Sequence, residues 1–168
     1  MSFWQWSVVS CRWSGVGGPE FWLDFICAFA RFRTGMKSNF ESLRVYQLAE
    51  RISDRVWDLV REWEFFAKDT VGKQLVRAAD SVEANIAEGD GRGSYADNCR
   101  CVRIARGSLN ETKHFLRRAY RRKLLKESDV KALKPLIDEL GPKLNSYLKS
   151  IGTRRATSPP NDPKATDN

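Results

Sequence analysis

The chain has no run of about 20 apolar residues, which is the length that a membrane-spanning helix needs. It has only four cysteines and one histidine among its 168 residues. Cys99 and Cys101 are two residues apart and would point in different directions from a helix, so they form no zinc-binding pair with His114. We therefore expect no metal and no cofactor, and we expect reduced thiols in a cytoplasmic protein.

Acidic residues are too few to balance the basic ones. The chain has 29 Lys and Arg against 21 Asp and Glu, a formal net charge of +8. This excess favours an anionic partner such as nucleic acid, a membrane surface or an acidic protein, and a solvated basic surface is the alternative. With 42% hydrophobic and 30% charged residues, the composition is typical of a soluble globular protein.

Three segments of the chain differ in composition. Residues 1–35 hold nine of the nineteen aromatic residues and lack a regular apolar period. We predict that Met36 is the natural start and that 1–35 is an upstream leader outside the fold; an aromatic extension that packs on a partner is the alternative. Residues 36–151 form the predicted domain, with 23 basic and 17 acidic residues. Residues 152–168, polar and with three prolines, are predicted to be a disordered tail.

Four stretches of the domain carry apolar residues at spacings of three and four, the period of an amphipathic helix. The predicted helices run from about Glu41 to Glu64, Thr70 to Glu88, Ser94 to Leu125 and Glu127 to Ile151. No alternating strand pattern competes with them. Short links between such helices predict an all-α fold, an antiparallel up-down-up-down four-helix bundle.

Local residues mark the ends of these helices. Asp69 or Thr70 can cap the second helix, and Ser94 with Asp97 three residues later is a start signal for the third. A glycine–proline pair at 141–142 predicts a bend or a short break in the fourth helix, because proline removes one helical hydrogen bond.

The glycine-rich stretch NIAEGDGRG at 85–93 resembles a phosphate loop only superficially. A phosphate loop follows a strand and has its own glycine spacing, and both are missing here. We predict a corner between two helices, with Gly89 ending the second helix in a left-handed conformation. The start of the third helix at Ser94, with Arg92 beside it, could still hold an anion. Gly107, in the middle of the third helix, is predicted to allow a close helix crossing.

The third helix is strongly basic. Residues 92–126 contain eleven basic and two acidic residues. Five of the basic residues fall within about 80° on a helical wheel, roughly opposite the apolar side. These five are Arg103, Arg106, Lys113, Arg117 and Arg121. Guanidinium groups bind phosphate in a bidentate manner, so this face favours contacts to a nucleic-acid backbone.

We predict that six residues of this helix contact nucleic acid. They are Arg103, Lys113, Arg117, Arg118, Arg121 and Arg122. Tyr120 is the one predicted candidate for base stacking, so recognition of the backbone and shape of structured RNA is favoured. A solvated face or a protein-binding surface is the alternative.

Three stretches together resemble the 23S rRNA intervening-sequence protein family. They are FESLRVYQLAERI at 40–52, QLVRAADSVEANIAEGDGR at 74–92 and ARGSLNETKHFLRRA at 105–119. The resemblance implies a left-handed up-down-up-down bundle that assembles as a homopentamer and has no known enzymatic activity. A related branch, the accessory variability proteins of diversity-generating retroelements, comprises basic pentamers that bind a reverse transcriptase and nucleic acid.

The family motif maps onto eight positions and is interpreted as structural. These are Arg77, Asn85, Glu88, Gly89, Arg106, Gly107, Ser108 and Glu111. Asn85 and Glu88 are expected to hydrogen-bond across the bundle or to cap a helix end, since no nucleophile or paired acid accompanies them. Arg77 and Arg106 are expected to pair with Glu88 and Glu111. Cys101 departs from the family pattern, which has a large aromatic residue there.

Two functions follow from these residues. The first is a non-enzymatic, cytoplasmic homo-oligomer that binds nucleic acid, RNA rather than DNA, through its third helix. The second is an adaptor that uses the same basic surface to bind a protein partner such as a reverse transcriptase.

Overall fold

A computed structural model describes residues 39–157 of the chain. Within this range there are four long helices and no strand, which confirms the all-α prediction. The helices are α1 (Arg44–Arg61), α2 (Lys73–Gly91), α3 (Tyr95–Arg121) and α4 (Glu127–Thr157). A 3-10 turn, Asn39–Ser42, precedes α1. The predictions for residues 1–35 and for the tail from 158 onward fall outside the described range.

The apolar stripe of α1 shows why these sequences form helices around one core. Val45, Leu48, Ile52 and Val56 recur every three or four residues and are all buried. Full burial of each such side chain contributes roughly 1.5–3 kcal/mol, so the stripe stabilises α1 only where other helices cover it. The other helices supply the matching core side chains, among them Leu75, Ile86, Leu109, Leu140 and Leu144.

Each long helix packs on two others. The helix α2 contacts α1 and α3, and α4 also contacts α1 and α3. The most extensive of these contacts is between α2 and α3. The helix α2 therefore lies between α1 and α3.

Gly89 is the residue that permits the close packing of α2 on α3. A Cβ at this position would lie 2.9 Å from the Cβ of Cys101 and 2.9 Å from Asn98 Oδ1. The prediction that Gly89 ends the helix in a left-handed conformation is wrong, because α2 continues to Gly91 and no glycine in 39–157 has a positive φ. The corner at residues 92–94 is confirmed. The side chain of Cys101 lies directly against Gly89.

Gly107 has a different environment from the one predicted. It is exposed, and a Cβ there would meet no atom within 4 Å. The prediction of a close crossing at Gly107 is therefore wrong. A glycine inside a helix lowers stability by roughly 0.5–1 kcal/mol relative to alanine, and no packing contact offsets that loss here.

The predicted start of the third helix is confirmed, whereas the cap of the second is not. The hydroxyl of Ser94 accepts a hydrogen bond of 3.1 Å from the backbone N–H of Asp97. The second helical run begins earlier than predicted, with an α-turn at Phe65–Ala67 and a π-helical segment at Lys68–Gly72. Asp69 lies inside that segment and pairs with Lys73 instead of capping a helix.

Both helix boundaries after residue 120 differ from the prediction. The helix α3 ends at Arg121 rather than near Leu125, and Lys123 in the link has a positive φ of 60°. The helix α4 continues past Ile151 to Thr157, so residues 152–157 are helical. Of the predicted bend or short break near 141, the break is absent, because the helix runs through Pro135 and Pro142.

None of the helices in the described range combines the length and the hydrophobicity of a membrane span.

Candidate nucleic-acid interface

The predicted contact residues lie along α3 and at its C-terminal end. Arg103, Arg117, Arg118 and Arg121 are exposed on the helix, and Arg122 is exposed at its C-cap. Lys113 differs from them, because it is half-buried and its Nζ lies 3.7 Å from the place a Cβ on Gly141 would occupy. The structure therefore brings five of the six residues to the surface of one helix and places the sixth beside α4. We call these five exposed residues the basic face.

The basic face has no acidic partner in the described part of the chain. The basic residues from Arg100 to Lys123 make no salt bridge there, whereas Arg44 on α1 pairs with Glu139 at 3.1 Å and Arg61 with Glu62 at 4.0 Å. Guanidinium groups without a carboxylate keep their full set of donors for an external anion. The positive charge of α3 is thus available to phosphate oxygens.

Arg106 holds α3 to α4. Its Nη1 donates a hydrogen bond of 3.3 Å to Oδ1 of Asn145 on α4. The expected ion pair between Arg106 and Glu111 is not formed. This contact supports the interpretation of Arg106 as a structural residue rather than a nucleic-acid contact.

Two further motif residues, Asn85 and Ser108, contact Ser81 on α2. Asn85 Nδ2 donates to the backbone oxygen of Ser81 at 2.7 Å, and to its hydroxyl at 3.1 Å. The Ser81 hydroxyl lies 3.0 Å from that of Ser108 on α3. Ser108 in turn donates to the backbone oxygen of Ile104 at 3.2 Å. Both hydrogen bonds of Asn85 stay within α2, so the expected hydrogen bond from Asn85 across the bundle is not formed, and Ser81 makes the contact with α3.

Glu88 and Arg77 do not form the pair that was expected. Glu88 Oε1 accepts a hydrogen bond of 3.1 Å from Arg92 Nε, which joins the end of α2 to the link that follows. This hydrogen bond is the main cause that raises the pKa of the Arg92 guanidinium. Arg77 is exposed instead, and it lines a groove between α1 and α2. Glu111 is exposed on α3.

The groove between α1 and α2 was missed by the sequence reasoning, which named Tyr120 alone as an exposed aromatic candidate. The groove has a volume of about 730 Å³ and is lined by Trp57 and Phe65. Trp57 is 56% exposed and Phe65 is 82% exposed. A signal was present in the sequence, because Trp57 lies beside Val56 and outside the apolar stripe of α1.

Acidic side chains gather on α1 and α2, close to this groove. Glu83 lies near three further carboxylates, those of Asp80, Glu50 and Asp54. Burial, and then these negative neighbours, raise the pKa of Glu83 to about 7. Ser53 on α1 donates a hydrogen bond to Asp80 on α2. Across 39–157, no group of His, Cys, Asp and Glu side chains has the arrangement of a metal site.

Comparison with protein families places these features in a known group. The model of the family described as 23S rRNA-intervening sequence protein matches residues 41–146, which cover α1 to α3 and more than half of α4. The chain belongs to this family. A search of curated proteins finds no match.

The matched range of this 23S rRNA-intervening sequence protein includes both groups of residues described above. The contacts of Asn85 with Ser81, and of Arg106 with Asn145, lie inside it, and so does the basic face. Phe65 and Trp57 lie inside it as well. The matched range therefore contains the basic face and the aromatic residues on which the following proposals depend.

Proposed function

We propose that this protein is a non-enzymatic, cytoplasmic RNA-binding protein that contacts structured RNA through the basic face of α3. We include in the proposal an up-down-up-down bundle that assembles as a homopentamer, as the family resemblance implies. The observation that carries the proposal is the exposed set of arginines on α3 without acidic partners in the described residues.

Structured RNA, rather than DNA, is the partner in this proposal. A single straight face of guanidinium groups can bind phosphates along a duplex, but it offers few groups that read bases. Double-stranded RNA is recognised mostly by shape and backbone contacts. In a pentamer, five domains with 23 basic and 17 acidic residues each would concentrate positive charge and so strengthen binding to a polyanion.

The double substitution Arg117→Gln/Arg121→Gln is expected to weaken binding to an RNA stem about tenfold at moderate salt. Two lost phosphate contacts should also reduce the slope of log affinity against log salt by roughly 1.4–1.8. Fluorescence anisotropy with a labelled stem, measured over a series of salt concentrations, gives both quantities. Both arginines are exposed, so their loss should leave the helices intact.

The matched control is Arg51→Gln/Arg55→Gln. These two arginines are also four residues apart, exposed and on a helix, but they lie on α1 among acidic residues. The control changes the net charge equally and should leave the salt slope nearly unchanged. Equal losses in both variants would mean that only the net charge matters, and the proposal of an α3 interface would then be wrong.

The adaptor function has one observation in its favour. Ile104 and Tyr120 on α3 are 46% and 49% exposed, and apolar surface of this kind is common where proteins meet. Under this alternative, a protein such as a reverse transcriptase binds α3. Wild-type protein that binds no RNA stem even at low salt would favour this alternative.

A further inference from the structure

The groove between α1 and α2 combines exposed aromatic rings with basic side chains. Its lining includes Trp57 of α1 and Phe65 of the turn before α2. It also includes four cations, Arg61, Lys68, Lys73 and Arg77. A volume of about 730 Å³ lies within the range of small-molecule sites, roughly 300–1,000 Å³.

Two carboxylates, those of Asp69 and Asp80, line the groove together with the four cations, so the lining has a net positive charge. Asp69 forms a 3.3 Å ion pair with Lys73, and Asp80 accepts a hydrogen bond from Ser53. Arg77 has no carboxylate partner in the part of the chain that the structure describes. The groove thus combines apolar surface with a net positive charge. A purely apolar ligand would not need that charge, so an anionic ligand with an apolar part fits better.

The backbone around the groove is irregular and firmly held. The groove residues Lys68 and Asp69 belong to the π-helical segment Lys68–Gly72, and such segments occur often at functional sites. A Cβ on Gly72 would lie 2.6 Å from Val60 Cγ1, so this segment approaches the end of α1 closely. Lys68 Nζ also donates a 2.7 Å hydrogen bond to the backbone oxygen of Arg61.

We propose that this groove binds an unpaired nucleotide of RNA, with the base on the rings of Trp57 or Phe65 and the phosphate at Arg77. The reasons are chemical: every base has a face that stacks on an aromatic ring, and nearby cations hold the backbone. This inference rests on the proposed RNA-binding function. It adds to that function a preference for stems that carry unpaired bases. The groove lies between α1 and α2, and α2 packs on α3, so one RNA is proposed to place its stem on the basic face and an unpaired base in the groove.

The test compares three labelled RNAs on the full chain at low salt: a stem-loop, a blunt duplex of the same stem, and an unpaired oligonucleotide of the loop sequence. Wild-type protein is expected to bind the stem-loop about tenfold more tightly than the blunt duplex, as stacking of one base can provide. Trp57→Ala should remove most of that difference and leave affinity for the blunt duplex unchanged. Trp57→Phe, which keeps an aromatic ring, should retain part of it.

Phe65→Ala and Phe66→Ala form a matched pair. Both phenylalanines are exposed, at 82% and 79%, but Phe65 lines the groove and Phe66 is absent from its lining. Phe65→Ala should reduce the preference for the stem-loop, and Phe66→Ala should not. Circular dichroism checks that each variant keeps its helical content.

Several results would overturn the inference. These are equal wild-type affinity for stem-loop and duplex, or equal losses on both RNAs in Trp57→Ala. If the assembly formed by Trp57→Ala has a lower molar mass in solution than that of the wild type, and the preference for the stem-loop is unchanged, the groove is a contact between copies of the chain. If wild-type protein does not bind the duplex at all, the α3 proposal fails. Binding of the unpaired oligonucleotide that depends on Trp57 would then still support the groove, and no binding would overturn it.

Discussion

Gly89→Val is expected to lower the free energy of unfolding by about 2–3 kcal/mol, since overpacking a well-packed contact typically costs roughly 1–3 kcal/mol and valine adds a branched side chain. Even a single Cβ at this position would lie 2.9 Å from the Cβ of Cys101 and 2.9 Å from Asn98 Oδ1. The Cβ of Cys101 is fixed to the backbone of α3 and cannot move without shifting that helix, although the amide of Asn98 can rotate away. Urea denaturation followed by circular dichroism measures the change.

The control for this prediction is Gly107→Ala on α3. Both positions are glycines inside a helix, but a Cβ at Gly107 meets nothing within 4 Å. Alanine there should raise the free energy of unfolding by roughly 0.5–1 kcal/mol, because it restricts the unfolded chain and favours the helix. A Gly89→Val protein as stable as the wild type would show that α2 and α3 are not packed as described.

The difference in stability between Glu83→Gln and the wild type is expected to favour the variant more at pH 8 than at pH 4. The pKa of Glu83 is raised from 4.5 to about 7, first by burial and then by Asp80, Glu50 and Asp54. Between pH 4.5 and about pH 7 this carboxyl is mostly ionised in the unfolded chain and mostly protonated in the folded protein. The stability of the wild type therefore falls as pH rises through this window, and glutamine removes that fall.

The expected gain at pH 8 is about 1–2 kcal/mol, less than the full pKa difference implies, because solvent screens a partly exposed carboxyl. Comparing the two pH values isolates the titration, since any packing change caused by the amide is present at both. Glu64→Gln is the control, because Glu64 is exposed in the link before α2. A difference between variant and wild type that is the same at pH 4 and pH 8 would contradict the assignment.

Features that depend on a few neighbouring residues could be predicted from the sequence. The Ser94 cap links residues three apart, and its hydrogen bond to Asp97 is as expected. The stripe from Val45 to Val56 was also predicted, because the helical period places these residues on one side. The positions of the arginines on α3 follow from the same period, so the exposed basic face could be placed without a structure.

Features that depend on distant residues could not be predicted in this way. Arg106 is 39 residues from Asn145, and nothing local distinguishes this amide from Glu111 as a partner. Gly89 and Gly107 look alike in sequence, yet only the first lies against a neighbouring helix. The groove was missed because it requires Trp57 and Phe65 to be exposed at the junction of two helices.

The two prolines of α4 limit how this protein can assemble. Pro135 and Pro142 are both exposed and seven residues apart, so they lie on nearly the same side of the helix. Each lacks an N–H, which leaves the carbonyl oxygen four residues earlier, at Lys131 and at Asp138, without its usual helical donor. These oxygens need water or a donor from another molecule. An apolar interface over this side would remove the water that these carbonyl oxygens need. The side of α4 that carries the two prolines should therefore remain hydrated in any oligomer.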